Sequence, residues 1–398
     1  MVIKKLIAIS VVFALVAGAA FAVDLGGTVF GTVDVLAKPA TGDATLFSSG
    51  AQGRVRLEGS GEEEIGIGTI GGWIRLDASG GGVDIANIAS ALAWWQPIEQ
   101  LRIQIGNNPD GHFDASHITR YGFYAQANEI GGLVTSDGNW GSTCSDDAIF
   151  GGYNALHFAL IITPMDGVSI NVAIPLNASG AFAGGYTGTI TADKQIAAAF
   201  KGALFQVNYA ADFGSIHVTY AGAGSTEKYD ADWDSDPDTD SIGPTSEMGS
   251  FFASAYLGSL VENLGLEIGL KFTIPANDAP KKPLAIGLGA TYSTDQFGVK
   301  LRGIFQIPME DGEKVAIRVD LLPYYAVNDN VTAYMDAGIY LPNSKNFIWH
   351  FAPYVRVGSE WGAGFYAGLR FTNADAYSAT KYASGVKVTL PIGFIAKF

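Results

Sequence analysis

Val386-Lys387-Val388-Thr389-Leu390-Pro391-Ile392-Gly393-Phe394-Ile395-Ala396-Lys397-Phe398 closes the chain. Val386, Val388, Leu390, Ile392, Phe394, Ala396 and Phe398 fall on one side of an extended backbone, and Lys387, Thr389 and Lys397 on the other. Successive side chains of a strand point to opposite faces, so this spacing describes a strand with one dry and one wet face. A helix repeats every 3.6 residues and cannot produce it.

Working back from that end, the same split recurs in Phe365 to Phe371, Lys314 to Leu321, Val299 to Phe305, Leu264 to Ile274, Gln100 to Ile105 and Arg54 to Glu58. From Lys314 onward the apolar set is Val315, Ile317, Val319 and Leu321, opposite Lys314, Ala316, Arg318 and Asp320. A soluble β-sandwich also alternates in this way, because each of its sheets has one wet face. The connections separate the two folds. Tight turns are expected near Glu62 to Glu64, Gln96 to Glu99, Pro164 to Gly167, Asp212 to Gly214, Glu262 to Asn263, Asp295, Asn328 to Asn330 and Ser359 to Gly362. Longer polar connections lie between them, at Ala37 to Gly50, Asn107 to Gly152, Asn177 to Asp193, Ser225 to Glu247, Pro275 to Pro283 and Asn373 to Tyr382. Short connections on one rim and long ones on the other are the pattern of a barrel crossing a membrane. The census predicts an all-β transmembrane antiparallel barrel of about 18 strands, with 16 as the other even count, and both termini on the short-turn side. A phase change near Gly202 suggests a bulge.

Composition agrees. Hydrophobic residues make up 48%, aromatics 12% and charged residues only 16%, with mean hydropathy +0.20. After Ala22 no apolar run approaches the ~20 residues that a membrane helix needs. Lys4 and Lys5, the apolar run Leu6 to Val16, and Ala20-Phe21-Ala22 have the form of a secretory signal cut after Ala22. The expected domains are therefore a signal peptide over 1–22 and one barrel over 23–398, with long loops at 107–152 and 225–247. Without Lys4 and Lys5, the 24 basic residues become 22 against 39 acidic, a balance of −17. So acidic a chain has no electrostatic reason to bind nucleic acid. Cys144 is the only cysteine, so no intrachain disulfide forms.

The alternating apolar last strand that stops on Phe398 resembles the C-terminal signature of bacterial outer-membrane β-barrels, the porin-like proteins, and identifies the class without a subfamily. The resemblance implies an outer-membrane location, assembly by the barrel assembly machinery with Phe398 as part of its signal, contact with outer-membrane lipid, and passage of small solutes or ions. A homo-oligomer fits the same class. A sheet in hydrocarbon must close to satisfy its backbone, with its apolar face outward. Trp94, Trp95, Tyr324, Tyr325 and Trp361 flank the short turns where an interfacial aromatic girdle belongs.

Little in the sequence points to other chemistry. Gly66, Gly68 and Gly71 spell GxGxxG, but inside an alternating strand and not before a helix, so the nucleotide-binding reading fails on context. Asp110, His112, Asp114 and His117 carry metal-ligating groups without a fixing pattern. Asp230, Asp232, Asp234, Asp236, Asp238 and Asp240 stand at every second position of one loop, and are weak candidates for a divalent cation. With Pro237 in place of the turn glycine and no terminal Glu, they are not an EF-hand. No GxSxG or HExxH occurs among the five scattered histidines, so neither an enzyme nor a cofactor is expected.

The polar face of the strands collects Arg54, Arg56, Arg75, Arg102, Lys271, Lys300, Arg302, Lys314, Arg318, Arg356, Arg370, Lys387 and Lys397, against Asp34, Glu58, Asp77, Glu267, Asp320 and Asp336. Thirteen bases against six acids give the expected wall +7, with the acidic surplus in loops and turns. The expected function is a porin passing small hydrophilic solutes or ions by diffusion, preferring anions, with Asn107 to Gly152 as a candidate constriction. The other readings are a surface adhesin or antigen that uses the barrel as a scaffold for acidic loops, and a soluble secreted β-protein.

Overall fold

The computed structural model describes residues 22–38, 42–79, 88–106, 157–175, 202–222, 247–275, 283–312, 314–341, 347–358, 363–375, 378–381 and 385–397. The signal segment to residue 21, Phe398, the turn at 359–362, most of both long loops and the Asp230 to Asp240 run lie outside them.

Strand follows strand. In chain order they are β1 (Ala22–Lys38), β2 (Thr45–Ile65), β3 (Gly68–Ser79), β4 (Ile88–Ile98), β5 (Leu101–Gly106) and β6 (His157–Met165). Next come β7 (Val168–Pro175), β8 (Leu204–Ala211), β9 (Gly214–Gly222), β10 (Glu247–Val261), β11 (Leu264–Pro275) and β12 (Leu284–Ser293). The last are β13 (Phe297–Ile307), β14 (Ala316–Asn328), β15 (Val331–Leu341), β16 (Ile348–Gly358), β17 (Gly364–Gly368 and Arg370–Thr372) and β18 (Lys387–Lys397). The main sheet holds 19 segments. Both pieces of β17 pair with β16 on one side and β18 on the other, so they form one strand interrupted at Leu369, and the described residues contain eighteen staves.

Each strand pairs antiparallel with its neighbours in sequence, and β18 then pairs with β1 from Thr28↔Lys397 to Lys38↔Val388. The main sheet is therefore closed, and among the described residues every one of its staves has a partner on both sides. Two register shifts in β1, one toward each partner, put bulges on the closing strand.

The two rims differ as expected. On one, β6 and β7 join through Asp166-Gly167, with Gly167 at φ 75°, and β10 and β11 through Glu262-Asn263, with Asn263 at φ 64°. Both are left-handed positions suited to Gly and Asn. Three details depart from the sequence expectation. The first turn falls at Gly66-Ile67 and not at Glu62 to Glu64, because β2 keeps its register with β3 as far as Ile65↔Gly68. Of the GxGxxG glycines, Gly66 thus sits in the turn, while Gly68 and Gly71 lie in β3. Strand pairing resumes at Thr45, opposite Ala37, so the Ala37 to Gly50 connection is shorter than its Ser and Gly content suggested. β8 starts at Leu204, after Gly202, so the phase change there marks the strand's beginning.

Alternation sorts the two faces cleanly. Leu264, Leu266, Ile268, Leu270, Phe272 and Ile274 of β11 point outward, and Gly265, Glu267, Gly269, Lys271 and Thr273 inward. β14 does the same with Val319 and Leu321 against Arg318 and Asp320. In the last strand Val386, Val388, Leu390, Ile392 and Phe394 face out while Lys387 and Thr389 are buried on the inside. Large apolar side chains stay exposed all round the exterior, among them Phe205 at 52%, Leu301 at 46% and Ile268 at 44%. So large an apolar surface is stable only against hydrocarbon or a partner. Near the short-turn rim Trp95, Tyr209, Tyr292, Phe297 and Tyr325 project outward as a girdle, and Trp95 Nε1 donates to the Ile67 carbonyl at 3.1 Å. Trp94 and Tyr324, expected in that girdle, belong to the inner face.

Candidate functional site

The inner wall divides by strand into a neutral and a charged half. Apart from Arg102 at the short-turn end of β5, the described inward positions of β5 to β10 hold no charged side chain and carry amides, hydroxyls and imidazoles. Asn171 Nδ2 donates to Gln206 Oε1 at 3.0 Å, Gln206 Nε2 donates to Thr219 Oγ1 at 3.0 Å, and Gln104 and His157 share a 2.9 Å hydrogen bond. Asn208 Nδ2 donates to Ser169 Oγ at 3.0 Å, and Ser250 and Thr273 hydroxyls lie 3.1 Å apart. These directly opposed or next-rung neighbours form rungs that run across the strands.

On β11 to β18 the described inward side chains include Lys271, Lys300, Arg302, Arg318, Arg356, Arg370 and Lys387, against Glu267, Asp320 and Asp336. Seven bases against three acids leave this half basic. Arg318 Nε donates to Asp320 at 2.7 Å, and both side chains are almost fully buried. Arg302 reaches Glu267 at 3.4 Å, although the two stand on β13 and β11 with β12 between them. Gly289 of β12 is opposite both and makes that reach possible, since a methyl group there would come within 2.9 Å of the Glu267 carboxylate. Gly338 clears the same kind of gap between Asp320 and His350. His350 Nε2 and Asp336 Oδ1 are 2.9 Å apart.

Aromatic rings face the interior near the short-turn rim. Tyr324, Tyr334 and Tyr354 stand opposite one another on β14, β15 and β16, with ring centroids 5.8 Å and 4.7 Å apart and the second pair stacked at 6°. The ladder is bounded by glycines. A Cβ at Gly298 would meet the Tyr324 ring at 2.1 Å, and one at Gly368 would meet Tyr354 at 2.5 Å. Cations lie over other rings: Arg102 over Trp94 at 4.6 Å, Arg75 over Trp73 at 4.9 Å, Lys271 over Phe252 at 5.2 Å and Arg356 over Tyr366 at 5.8 Å. Such contacts hold a long basic side chain flat against the wall.

Of the thirteen basic residues expected on the inner wall, ten have described side chains, and nine of these take inward positions. They come together by strand neighbourhood: Arg75 Nε binds Glu58 at 2.6 Å, while Lys300 and Arg302 are next to each other on the inner face of β13. Arg54 and Arg56 are placed only by register, opposite Ser79 and Asp77. Lys314 is corrected: it precedes β14 and is exposed at the rim. Glu62 and Glu64, read as turn residues, continue the inward phase of Glu58, so the basic surplus of the whole wall is smaller than the sequence count. Phe398 and the weak cation candidates Asp230, Asp232 and Asp234 lie outside the described residues, as does the Asp110 to His117 cluster. Sequence reading missed His350 and the neutral half. The even spacing of His350 with Ala352, Tyr354 and Arg356 marks it as inward.

No protein-family model matches the chain, and no curated protein matches it in sequence. Among solved structures it is similar to a triple mutant of the Rhodopseudomonas blastica porin, at 12% identity and TM-score 0.47, and to an anion-selective porin from Comamonas acidovorans, at 13% and 0.49. Each likeness covers 94% of this chain and 100% of the other. The barrel stands on its own closure: eighteen antiparallel staves joined first to last, apolar outside and polar within.

Proposed function

We propose that the chain is a passive diffusion channel of a bacterial outer membrane, carrying small hydrophilic solutes or ions with a preference for anions. One observation carries the reading: a closed sheet of eighteen staves puts its apolar side chains outside and an excess of cations inside. A barrel of this strand number is wide enough to enclose an aqueous channel. Its pore-lining residues are then Arg54, Arg56, Arg75, Arg102, Lys271, Lys300, Arg302, Arg318, Arg356 and Arg370. Arg75, Arg102, Lys271, Arg302, Arg318 and Arg356 are pinned on rings or carboxylates, so they act as a fixed field and need no rearrangement when a solute passes. Net positive charge along a low-dielectric wall raises the local concentration of anions and lowers that of cations. Stacking along Tyr324, Tyr334 and Tyr354 stiffens the charged half.

Purified full-length protein in planar bilayers tests this. Stepwise conductance is expected, with a reversal potential of anion-preferring sign under a salt gradient. A cation preference that persists at high salt would overturn the basic wall. A barrel that inserts without conducting would move function to the loops, and with it the adhesin reading.

A further inference from the structure

Proline has no N–H to give to a neighbouring strand, and in most sheets it is kept to the edges. Three prolines stand well inside staves of this closed sheet. Pro323 of β14 is opposite Val299 on one side, and Pro353 of β16 is opposite Met335. On their other sides the ladders lapse. Between β14 and β15 the pairing stops after Leu321↔Ala337 and resumes in the same register at Tyr324↔Tyr334. Between β16 and β17 it stops after Phe351↔Phe371 and resumes at Tyr354↔Gly368, with the Leu369 amide donating to the Pro353 carbonyl at 3.0 Å inside the gap. Between β17 and β18 it stops after Ala367↔Ile392 and resumes at Arg370↔Thr389, with Pro391 in the gap, and Pro391 is also opposite Asp34 at a bulge of β1. These gaps lie at one level, four to six residues from the short-turn ends of their strands. Elsewhere among the described strands, β1 excepted, pairs are missed only next to strand ends.

Tyr324, Tyr334 and Tyr354 occupy the next rung on the inner face. Tyr324 meets Tyr334 across the gap between β14 and β15, with ring centroids 5.8 Å apart. Tyr354 lies against Gly368 across the gap between β16 and β17, so closely that a Cβ on Gly368 would be 2.5 Å from the Tyr354 Cβ. Tyrosine side chains thus span both of the boundaries where Pro323 and Pro353 interrupt the main-chain bonds. On the outer face the same level holds the two prolines with Met335 and Leu369, both exposed.

We propose that Pro323, Pro353 and Pro391 set a flexible line across β14 to β18, and that Tyr324, Tyr334 and Tyr354 form the strap that holds it closed. A lapsed rung lowers the cost of local opening, so the wall yields there before it yields elsewhere. The strands keep one register on both sides of each gap, so the line bends without slipping. Toward the short turns lie Arg356 and Tyr366, and on the other side of the line lie Arg318, Asp320 and His350. Bending therefore shifts one group of wall side chains against another and alters the bore of the lumen near the short-turn end. That last consequence rests on the pore reading, and the line itself does not.

Hydrogen exchange of the full-length barrel in lipid vesicles, followed by mass spectrometry, tests the line. Amides of 334–337 and 368–371 should exchange about three- to tenfold faster than those of 285–289 and 301–305 in the continuous ladder of β12 and β13, the factor that one main-chain hydrogen bond gives. Pro353→Ala supplies the missing N–H and should slow 368–371 by a similar factor. Tyr334→Leu removes the stack but keeps an apolar side chain, and should speed exchange at the line by about threefold or more while leaving 285–289 and 301–305 unchanged. In planar bilayers Tyr334→Leu should widen the open-channel current fluctuations, and Pro353→Ala should narrow them. Equal exchange in the two sets of segments of the unmodified protein, or no slowing in Pro353→Ala, would overturn the line. A rise spread evenly over all segments in Tyr334→Leu would overturn the strap. Should Tyr334→Leu fail to assemble, judged by heat-modifiable gel migration, Tyr324→Leu removes one end of the stack and is held to the same two outcomes. A barrel that shows the line in exchange but conducts nothing would defeat the pore reading and leave the line standing.

Discussion

Replacing Leu301 by Arg tests the depth and direction of the outer face together. Leu301 points outward from β13, four residues from Phe297 and six from Ile307. A strand rising about 3.3 Å per residue and tilted about 40° climbs roughly 2.5 Å along the membrane normal per residue. Leu301 then lies about 10 Å from the short-turn end and about 15 Å from the other, near the middle of an apolar band about 25 Å tall. Arg there should cost roughly 2 to 4 kcal/mol. Ile317 also faces outward but is one residue from the start of β14, about 2.5 Å inside the band, so Ile317→Arg should cost only about 0 to 1 kcal/mol. Lys300 and Arg302 flank Leu301 and face inward, so the native strand already tolerates cations on either side of it. Equilibrium denaturation of the barrel refolded into lipid vesicles, followed by tryptophan fluorescence, measures both variants. Equal costs, or a larger cost at Ile317, would refute the placement of the membrane along β13 and β14.

Other consequences follow from particular contacts. Gly71→Ala would drive a methyl group to 2.3 Å from the Trp94 ring and should cost about 1 to 3 kcal/mol, with a shift in tryptophan emission, whereas Gly66→Ala meets nothing within 4 Å and should stay within about 0.5 kcal/mol. Asn373→Ala removes the acceptor for the Trp349 amide at 2.8 Å and the donor to the Phe347 carbonyl at 2.9 Å. It should lower stability by about 1 to 3 kcal/mol and speed hydrogen exchange at Trp349, and unchanged exchange there would contradict the contact. Deleting Phe398 should leave export intact and impair assembly, read as loss of the heat-modifiable band in outer membranes, and a normal band would remove that residue from the assembly signal.

The sequence made the faces legible because period-2 alternation is a local property, and β11, β14 and β18 carry it without interruption. Turn positions were legible where turn chemistry is strong, as at Asp166-Gly167 and Glu262-Asn263. They failed at Glu62 to Glu64, where three adjacent carboxylates read as a turn while pairing with β3 continued past them. The Thr45 end of β2 was hidden by small polar residues that suit a strand only because β1 stands beside it. For the wall, charge could be assigned to a face one residue at a time. What could not be read was partnership: Arg302 meets Glu267 across Gly289, and His350 and Asp320 face each other across Gly338, only because each glycine is opposite both, which is a fact of register across three strands. The neutral half escaped notice because Asn171, Gln206 and Thr219 carry no charge to count.

Closure between β1 and β18 has a consequence in time. Among the described strands every other pairing joins neighbours in the chain, so hairpins can form as soon as their residues emerge. Thr28 and Lys397, in contrast, meet only when both ends of the polypeptide exist. Until then any partial sheet has two open edges, each a template for the wrong partner. A sheet that closes only through β1 and β18 keeps both of those edges open until Thr28 and Lys397 meet, so whatever guards the edges has to act until that step.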